Sequence, residues 1–363
     1  MAQLDVIVIG AGIVGSWAAL HALRCGRSVA IADPSPGDGI SGRNSGVLHA
    51  GLYYKTGSLK AKHCIRGKRL TEQFIEEHPI PFLRCGKLVT CGRSGSADAV
   101  DELYEKALDN GAAELEILQE PGRFFPGVLG ARALHSKGTA VIDSAAYLKA
   151  LHHAIETEGG VLLKGRRYVE GDPHEVTLAD NAGASETMSC SMLINAAGLH
   201  SDSIALRAGL QGYEIRPVRG EYFRLRKSYP LEKLVYPLPA SVMKGAKNDT
   251  ALGVHYTIHP SGEIYVGPNA IAASSKEDYR ITATAEEFAD SLGEIIGTAA
   301  GPIFTADDLA PGYAGLRPRL FKNGEAITDF VIEESSPGFI HLLGIESPGL
   351  TAAASLVEEL PFR

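Results

Sequence analysis

The chain has 363 residues, enough for two domains, and lacks the roughly eighteen consecutive apolar residues of a membrane-spanning helix. Hydrophobic residues make up 45% and charged residues 21%, which excludes disordered, collagen-like and coiled-coil proteins. The net charge of −8, without any cluster of basic residues, argues against a nucleic-acid partner. The five cysteines form no C-x-x-C pair, so we expect a cytoplasmic protein, with peripheral contact to a membrane left open.

The first elements in chain order are a strand, a glycine turn and a helix, in the sequence DVIVIGAGIVGSWAALHAL. Gly10, Gly12 and Gly15 give the spacing G-x-G-x-x-G, which allows a tight turn, the approach of a pyrophosphate and close helix packing. A second strand ends at Asp33, whose carboxylate can accept hydrogen bonds from an adenosine ribose. These residues predict one dinucleotide site, and by themselves they leave NAD and FAD open.

A glycine-rich loop follows Asp33 and is long enough to wrap a ligand. Hydrophobic periodicity predicts helices and strands in alternation after it. The predicted elements are a helix over about 59–78, a strand with a glycine turn over 82–91, helices over 97–110 and 144–158, and strands over 161–171 and 192–196. We interpret the strand at 192–196 as the last parallel strand of the nucleotide-binding lobe.

From Tyr213 to about Phe330 the residue pattern changes to strands in which apolar and polar residues alternate. Together with a turn at 260–262, this pattern predicts an antiparallel sheet. The chain then closes with a strand, a Gly/Pro turn and a helix. The predicted fold class is α/β, with a Rossmann-like lobe interleaved with a substrate lobe that is mainly antiparallel sheet. We expect the domains to comprise 1–80, 137–211 and 331–363 for the dinucleotide, and 81–136 and 212–330 for the substrate.

Six segments carry a family likeness, and they occur in the order RNSGVLHAGLYYKTGSLKAKHC, INAAGLHSD, RGEYF, VGPN, GLRPRL and SPGLTAA. Together they resemble the FAD-dependent oxidoreductases of the D-amino-acid-oxidase (DAO) superfamily. Within that superfamily the likeness is strongest to the L-2-hydroxyglutarate dehydrogenases. The resemblance runs along almost the whole chain and selects FAD over NAD.

The resemblance also implies which residues bind FAD, and it implies no metal. The last helix would point its N-terminus at the pyrimidine edge of the flavin, where its dipole stabilises negative charge. No cysteine or histidine is identified as an attachment site, so we expect FAD to be non-covalent. The implied FAD-binding residues are Gly10, Gly12, Gly15, Asp33, Arg43, Asn44, Ser45, Gly46, Val169 through its backbone, Ala197, Gly198, Ser347, Pro348, Gly349, Leu350 and Thr351.

Oxidation of a 2-hydroxy acid requires a cation for the carboxylate and a base for the hydroxyl proton. The resemblance assigns the carboxylate to Arg317, whose guanidinium can form a bidentate, charge-assisted pair. Arg219 and Arg319 are candidates for a second carboxylate. His49 and His255 are candidates for the base, and a hydrogen-bonded structural role is the alternative for either.

Tyr53 is a further candidate for orienting the substrate, because it follows His49 closely. The implied reaction is oxidation of an L-2-hydroxy acid, with L-2-hydroxyglutarate as the leading substrate, by hydride transfer to flavin N5. The alternatives are an amine or amino-acid oxidase of the sarcosine, glycine or D-amino-acid type, and a flavoprotein without catalysis. The partners would be a small carboxylate substrate and an electron acceptor, for which quinone, electron-transferring flavoprotein and oxygen are all open.

Overall fold

The computed structural model describes residues 4–239 and 253–362. Its α-helices are α1 (Ile13–Arg24), α2 (Leu59–Glu77), α3 (Ala97–Asp109), α4 (Ser144–Thr157), α5 (Ser201–Arg207), α6 (Ala285–Gly293) and α7 (Gly349–Leu356). The strands of the first half are β1 (Leu4–Ile9), β2 (Val29–Asp33), β3 (Val47–Leu48), β4 (Phe82–Leu83), β5 (Lys87–Thr90), β6 (Leu115–Gln119), β7 (Arg132–Ser136), β8 (Ala140–Ile142), β9 (Val161–Lys164), β10 (Arg166–Gly171), β11 (Val176–Asp180) and β12 (Ser185–Met188). Those of the second half are β13 (Cys190–Asn195), β14 (Tyr213–Leu225), β15 (Leu234–Pro237), β16 (His255–Ile258), β17 (Ile264–Gly267), β18 (Ile271–Ala272), β19 (Gly297–Thr298), β20 (Gly301–Pro302), β21 (Leu309–Lys322), β22 (Glu325–Ala326), β23 (Val331–Ser336) and β24 (Phe339–Leu343).

A six-stranded sheet in the order β23-β24-β13-β1-β2-β9 forms the first lobe, and only its edge strand β23 is antiparallel. The interpretation of 192–196 as the last parallel strand is wrong. β24 pairs in parallel with β13, beginning at Leu193 opposite Phe339, and therefore extends the sheet by one strand. All five residues of β24 are buried, and all except His341 are apolar, as expected of a strand that helices cover.

The segment 161–171 is two strands rather than the single strand that its sequence predicts. Gly165, with φ of +73°, turns the chain between them. β9 completes the parallel sheet beside β2, whereas β10 starts a separate antiparallel sheet with β11 and β12. The positive φ explains the break, because it lies in the left-handed region that ordinary strand residues avoid.

The second lobe is built on a sheet in the order β22-β21-β14-β17-β16-β15-β5-β7-β6, with β18 attached to β14. Its pairs are antiparallel except for β15 with β5, so the predicted fold class is confirmed. The strands of this sheet all fall within 81–136 and 212–330. A small sheet, β3-β8-β4, takes strands from both predicted domains, and the exact domain boundaries stay a prediction.

Helix α7 is held in place by α2, which crosses it at very short range. A Cβ on Gly67 would lie 2.3 Å from the carbonyl oxygen of Thr351, so only glycine allows this approach. The helix contact fixes the turn that precedes α7. No helix in the described part of the chain is both long and apolar enough to cross a bilayer.

Candidate active site

A cavity of about 840 Å³ lies between the two lobes and has the size of a cofactor-binding site. One wall is formed at the carboxyl ends of the parallel strands β1, β2, β13 and β24, the place where open α/β sheets bind their ligands. The other wall comes from the antiparallel sheet. The antiparallel sheet contributes Gly220, Tyr222, Tyr236, His255, Gly315, Leu316, Arg317 and Pro318.

The three glycines of the motif are required by their surroundings. Gly10 has φ of +103°, and a Cβ there would lie 2.5 Å from the carbonyl oxygen of Ala196. A Cβ on Gly15 would lie 1.9 Å from the carbonyl oxygen of Gly10, which is the close packing of helix on strand that the motif predicts. Gly12 caps α1 without a side chain, so the N-terminus of that helix opens to the cavity.

Asp33 lies at the end of β2 and lines the cavity. One carboxylate oxygen accepts a hydrogen bond from the backbone N–H of Ala11 at 2.7 Å, and the other accepts from that of Ser35 at 2.8 Å. These bonds fix the carboxylate, and each oxygen keeps a lone pair for a further donor. Asp33 therefore fits its predicted contact with an adenosine ribose.

The loop of Arg43, Asn44, Ser45 and Gly46 follows the same wall. The first three residues line the cavity, and the Arg43 guanidinium lies 4.5 Å from the centre of the Tyr279 ring. The Asn44 amide donates to two carbonyls of its own loop, and its oxygen accepts from the Gly46 N–H at 2.8 Å. Asn44 therefore shapes the loop, and Gly46 supports it from behind with φ of +66°.

The other predicted FAD contacts lie in three places. The cavity is lined directly by Ala197, Gly198, Ser347, Pro348, Gly349 and Leu350. Val169 stands just behind the lining, where its carbonyl accepts from Arg207, a residue that does line the cavity. Thr351 is wholly buried, and its hydroxyl accepts from the backbone N–H of His49 at 3.0 Å. The glycine turn between β1 and α1, the N-terminus of α1 at the cavity and the carboxylate of Asp33 together fit the ADP part of FAD.

Arg317 reaches the cavity from β21 and is half-buried. It has no ion pair with any residue of 4–239 or 253–362. Arg219 and Arg319, by contrast, lie near carboxylates. Arg317 lines the same cavity as His49 and His255, and after burial its charge is a further cause that lowers the pKa of both. A half-buried guanidinium without a counter-ion, facing a cavity, is suited to bind a carboxylate.

His255 lines the same cavity as Arg317, and hydrogen bonding fixes its ring orientation and the nitrogen that carries its proton. Nδ1 lies 2.8 Å from the carbonyl oxygen of Gly253, which can only accept, so Nδ1 carries the proton. Burial lowers the pKa of His255 to about 3, and Nε2 has no partner among the described residues. The ring stacks on Tyr236 at 3.7 Å between centres. The neutral ring thus presents the lone pair of Nε2, as a proton acceptor requires.

His49 is also buried and lines the cavity. Its Nε2 lies 3.3 Å from the hydroxyl of Ser347, and its Nδ1 has no partner among the described residues. The pKa of His49 lies well below its ordinary value. Burial is the main cause, and the charges of Lys87, His255 and Arg317 lower it further. The structure therefore brings His49, His255 and Arg317 together, as the sequence predicts.

Three other predicted residues do not reach the cavity. Arg219 is buried and forms ion pairs with Glu221 at 2.9 Å and Asp278 at 2.6 Å. Arg319 lies 3.7 Å from Glu346. Tyr53 is buried behind the lining, and its hydroxyl has no partner among the described residues. A role for these three in binding substrate stays a prediction.

Lys87 is the group near the site that sequence reasoning missed. It is wholly buried on β5, and its ammonium lies 4.6 Å from the centre of the Tyr53 ring and 4.8 Å from that of Tyr236. Burial lowers the pKa of Lys87 to about 7. The only signal in the sequence is a lysine at the start of the strand segment KLVT, a position where it is ordinarily exposed, because lysines are rarely buried without a partner.

Residues 5–360 match the model of the family of FAD-dependent oxidoreductases known as DAO. The chain belongs to this family. This FAD-dependent oxidoreductase is 30% identical to an L-2-hydroxyglutarate dehydrogenase of Indibacter alkaliphilus, over 98% of the chain and 97% of that relative. It is 31% identical to the mitochondrial L-2-hydroxyglutarate dehydrogenase of Arabidopsis thaliana, over 99% of the chain and 83% of that relative.

The solved structures that are similar to the oxidoreductase bear out its fold. The FAD-bound L-alpha-glycerophosphate oxidase of Mycoplasma pneumoniae superposes with a TM-score of 0.85 at 22% identity, over 99% of this chain and 94% of that one. The glycine oxidase of Geobacillus kaustophilus superposes with a TM-score of 0.75 at 17% identity, over 99% and 93%. The family match confirms FAD as the cofactor.

Proposed function

We propose that this enzyme oxidises an L-2-hydroxy dicarboxylate, L-2-hydroxyglutarate, to the 2-oxo acid. The observation that carries the proposal is the group formed by Arg317, His49 and His255 at the cavity, a carboxylate-binding cation beside proton acceptors. The two relatives above, both named L-2-hydroxyglutarate dehydrogenase and matched over nearly the full chain, support the choice of substrate. FAD, when bound, accepts the hydride that leaves the hydroxyl-bearing carbon.

Arg317 binds the carboxylate next to the reacting carbon and orients the substrate. His255 accepts the hydroxyl proton at Nε2, since that nitrogen carries the free lone pair. The bound carboxylate neutralises Arg317, one of the charges that lower the pKa of His255, so the histidine becomes a stronger base once the substrate is present. As the proton and the hydride leave, the carbon–oxygen single bond becomes the carbonyl of the product.

The test is an anaerobic visible spectrum of the FAD-loaded protein, titrated separately with L-2-hydroxyglutarate and with glycine, sarcosine and D-alanine. Bleaching of the flavin band near about 450 nm by the hydroxy acid alone is the expected result. Bleaching by an amine would replace the proposal with amine oxidation. A protein that no substrate bleaches would be a flavoprotein without this catalysis.

We propose further that the flavin is bound non-covalently and that the enzyme works in the cytoplasm. All five cysteines are free thiols, which suits a reducing compartment. Precipitation in hot acid tests the attachment, with yellow supernatant expected and a yellow pellet contradicting it. The electron acceptor is to be identified by comparing oxygen, a quinone and an electron-transferring flavoprotein as oxidants of the substrate-reduced enzyme.

A further inference from the structure

The side chain of Lys87 has no counter-ion where it lies. It is wholly buried, and Nζ has no hydrogen-bond partner in the described part of the chain. The groups whose charge would favour its protonated form are the thiols of Cys64 and Cys85. Burial raises the pKa of those thiols to about 12 and about 11, so both are neutral at physiological pH. The ammonium is left with the faces of two aromatic rings, those of Tyr53 and Tyr236.

Burial without a counter-ion favours the neutral amine, which is why the pKa of Lys87 falls to about 7, and an anion bound nearby would favour the ammonium again. A buried ion pair that loses one partner is strongly unfavourable, and buried lysines are retained mainly where they function. The same region holds most of the described buried side-chain atoms that have no hydrogen-bond partner. They belong to His49, Tyr53, Tyr54, Lys87, His255 and Thr257. Of these, His49 and His255 line the cavity, and unsatisfied polar groups at a cavity indicate a polar ligand that satisfies them.

Lys87 lies one aromatic ring away from the cavity. Tyr236 forms part of the wall, with His255 stacked on its ring and the Lys87 ammonium against it. The charge of Lys87 also acts on His49 and on His255. The ammonium is thus close enough to the substrate cavity to balance an anion bound there.

The other cations that the sequence suggested for a second carboxylate have carboxylate partners already. Arg219 is paired with Glu221 and Asp278, and Arg319 lies near Glu346, which also pairs with Lys60 at 2.9 Å. A substrate with two carboxylates brings two negative charges, whereas Arg317 supplies one positive charge. Lys87 is the buried cation beside the cavity for which the described residues offer no partner.

We propose that Lys87 supplies the positive charge for the second carboxylate of the substrate, and so makes the enzyme select dicarboxylates over monocarboxylates. This inference rests on the proposed function and names the residue that sets its substrate class. Arg317 fixes the carboxylate beside the reacting carbon, and Lys87 favours an anionic group at the other end of the substrate. Lys87 takes no part in the bond changes.

The experiment compares Lys87→Met with the wild type on L-2-hydroxyglutarate and on L-2-hydroxybutyrate, which lacks the second carboxylate. Methionine has similar length and suits the apolar, aromatic surroundings. The ratio of kcat/KM for the two substrates should fall at least about tenfold, because one positive charge near the second carboxylate is lost. Lys87→Gln, polar but uncharged, should lose the preference as well. A ratio within about twofold of the wild type in both variants would overturn the proposal.

Lys60→Met is the matched control, because Lys60 is also a buried lysine near the site but is paired with Glu346. It should leave the substrate ratio unchanged and lower the melting temperature, since Glu346 loses its nearer partner and keeps only Arg319 at 3.7 Å. Lys87→Met should keep or raise the melting temperature, because no partner is left behind. A fall in stability together with equal losses on both substrates would make Lys87 a structural residue and refute the inference.

A measurement on the wild-type holoenzyme needs no variant. Glutarate should inhibit at a concentration at least about tenfold below that of butyrate, and equal inhibition would contradict a site for the second carboxylate. A failure of the proposed function can be distinguished from a failure of the inference about Lys87. If L-2-hydroxyglutarate does not reduce the wild-type flavin, the proposed function is wrong. If it does, and Lys87→Met and Lys87→Gln keep the preference, only the role of Lys87 is wrong.

Discussion

Replacing Arg317 with alanine should weaken the binding of substrate without releasing FAD. The guanidinium is half-buried and has no ion pair with the described residues, so a bound carboxylate is its natural partner. A hydrogen bond to a charged group contributes about 1.5–3 kcal/mol, and two charges about 4 Å apart at an effective dielectric of about 20 gain about 4 kcal/mol. We therefore expect a loss of about 2–4 kcal/mol, which corresponds to about 30- to 1000-fold in kcat/KM.

Most of this loss should fall on KM, because the carboxylate is bound in the ground state as well as in the transition state. Steady-state kinetics with an artificial electron acceptor measure it, and the visible spectrum checks that FAD is retained. Arg224→Ala is the control, since that arginine is about half exposed (49%) and faces Glu263 instead of the large cavity. A value of kcat/KM for Arg317→Ala within about twofold of the wild type would refute the carboxylate-binding role.

Three further predictions follow from the same site. His255→Gln should lower kcat for the hydroxy acid by about 10²- to 10⁴-fold with FAD retained, and a larger loss in His49→Gln would move the role of base to that residue. Burial lowers the pKa of His255 to about 3 and that of His341 to about 4, whereas both bind a proton near pH 6.5 when unfolded. The contribution of these two histidines to the free energy of unfolding is therefore fully present above pH 6.5, and below it falls by up to about 1.4 kcal/mol per pH unit for each histidine. Thermal melts between pH 8 and 5 measure this slope, which should be shallower in His255→Gln, and an unchanged slope would exclude that residue as a cause. Gly15→Ala should fail to load FAD or to fold, because its Cβ would meet the carbonyl oxygen of Gly10, and a stable, yellow variant would contradict that packing.

The part of the site that the sequence predicts best is the part that local rules determine. The spacing of Gly10, Gly12 and Gly15 within a strand, a turn and a helix is a short-range pattern, and the structure shows the close contacts behind it. The break at Gly165 was missed because a single glycine within a strand-like segment does not reveal that its φ is positive. Lys87 was missed for another reason. Its lack of a partner depends on strands that are distant in sequence.

The resemblance to a family, and not the charge pattern of the sequence, singles out Arg317 among the three candidate arginines, and ion pairing explains why the pattern alone is not enough. Arg219 and Arg317 lie on the paired strands β14 and β21, in the same type of segment. Only the folded chain shows that Glu221 and Asp278 neutralise the first, while the second faces the cavity. The number of charges in a sequence therefore says little about which of them a substrate will meet.

The order of strands in the parallel sheet constrains how the protein can be made. β1 lies at the centre, but its neighbour β13 begins at Cys190, and the strand beyond that, β24, begins at Phe339. A ribosome adding about 5–20 residues per second needs roughly 7–30 s to synthesise the chain between those two strands. During that time the sheet has an open, apolar edge that can pair with other nascent chains. We expect the risk of aggregation to fall once β24 has paired with β13. Folding chaperones should therefore matter most just before the completed chain leaves the ribosome.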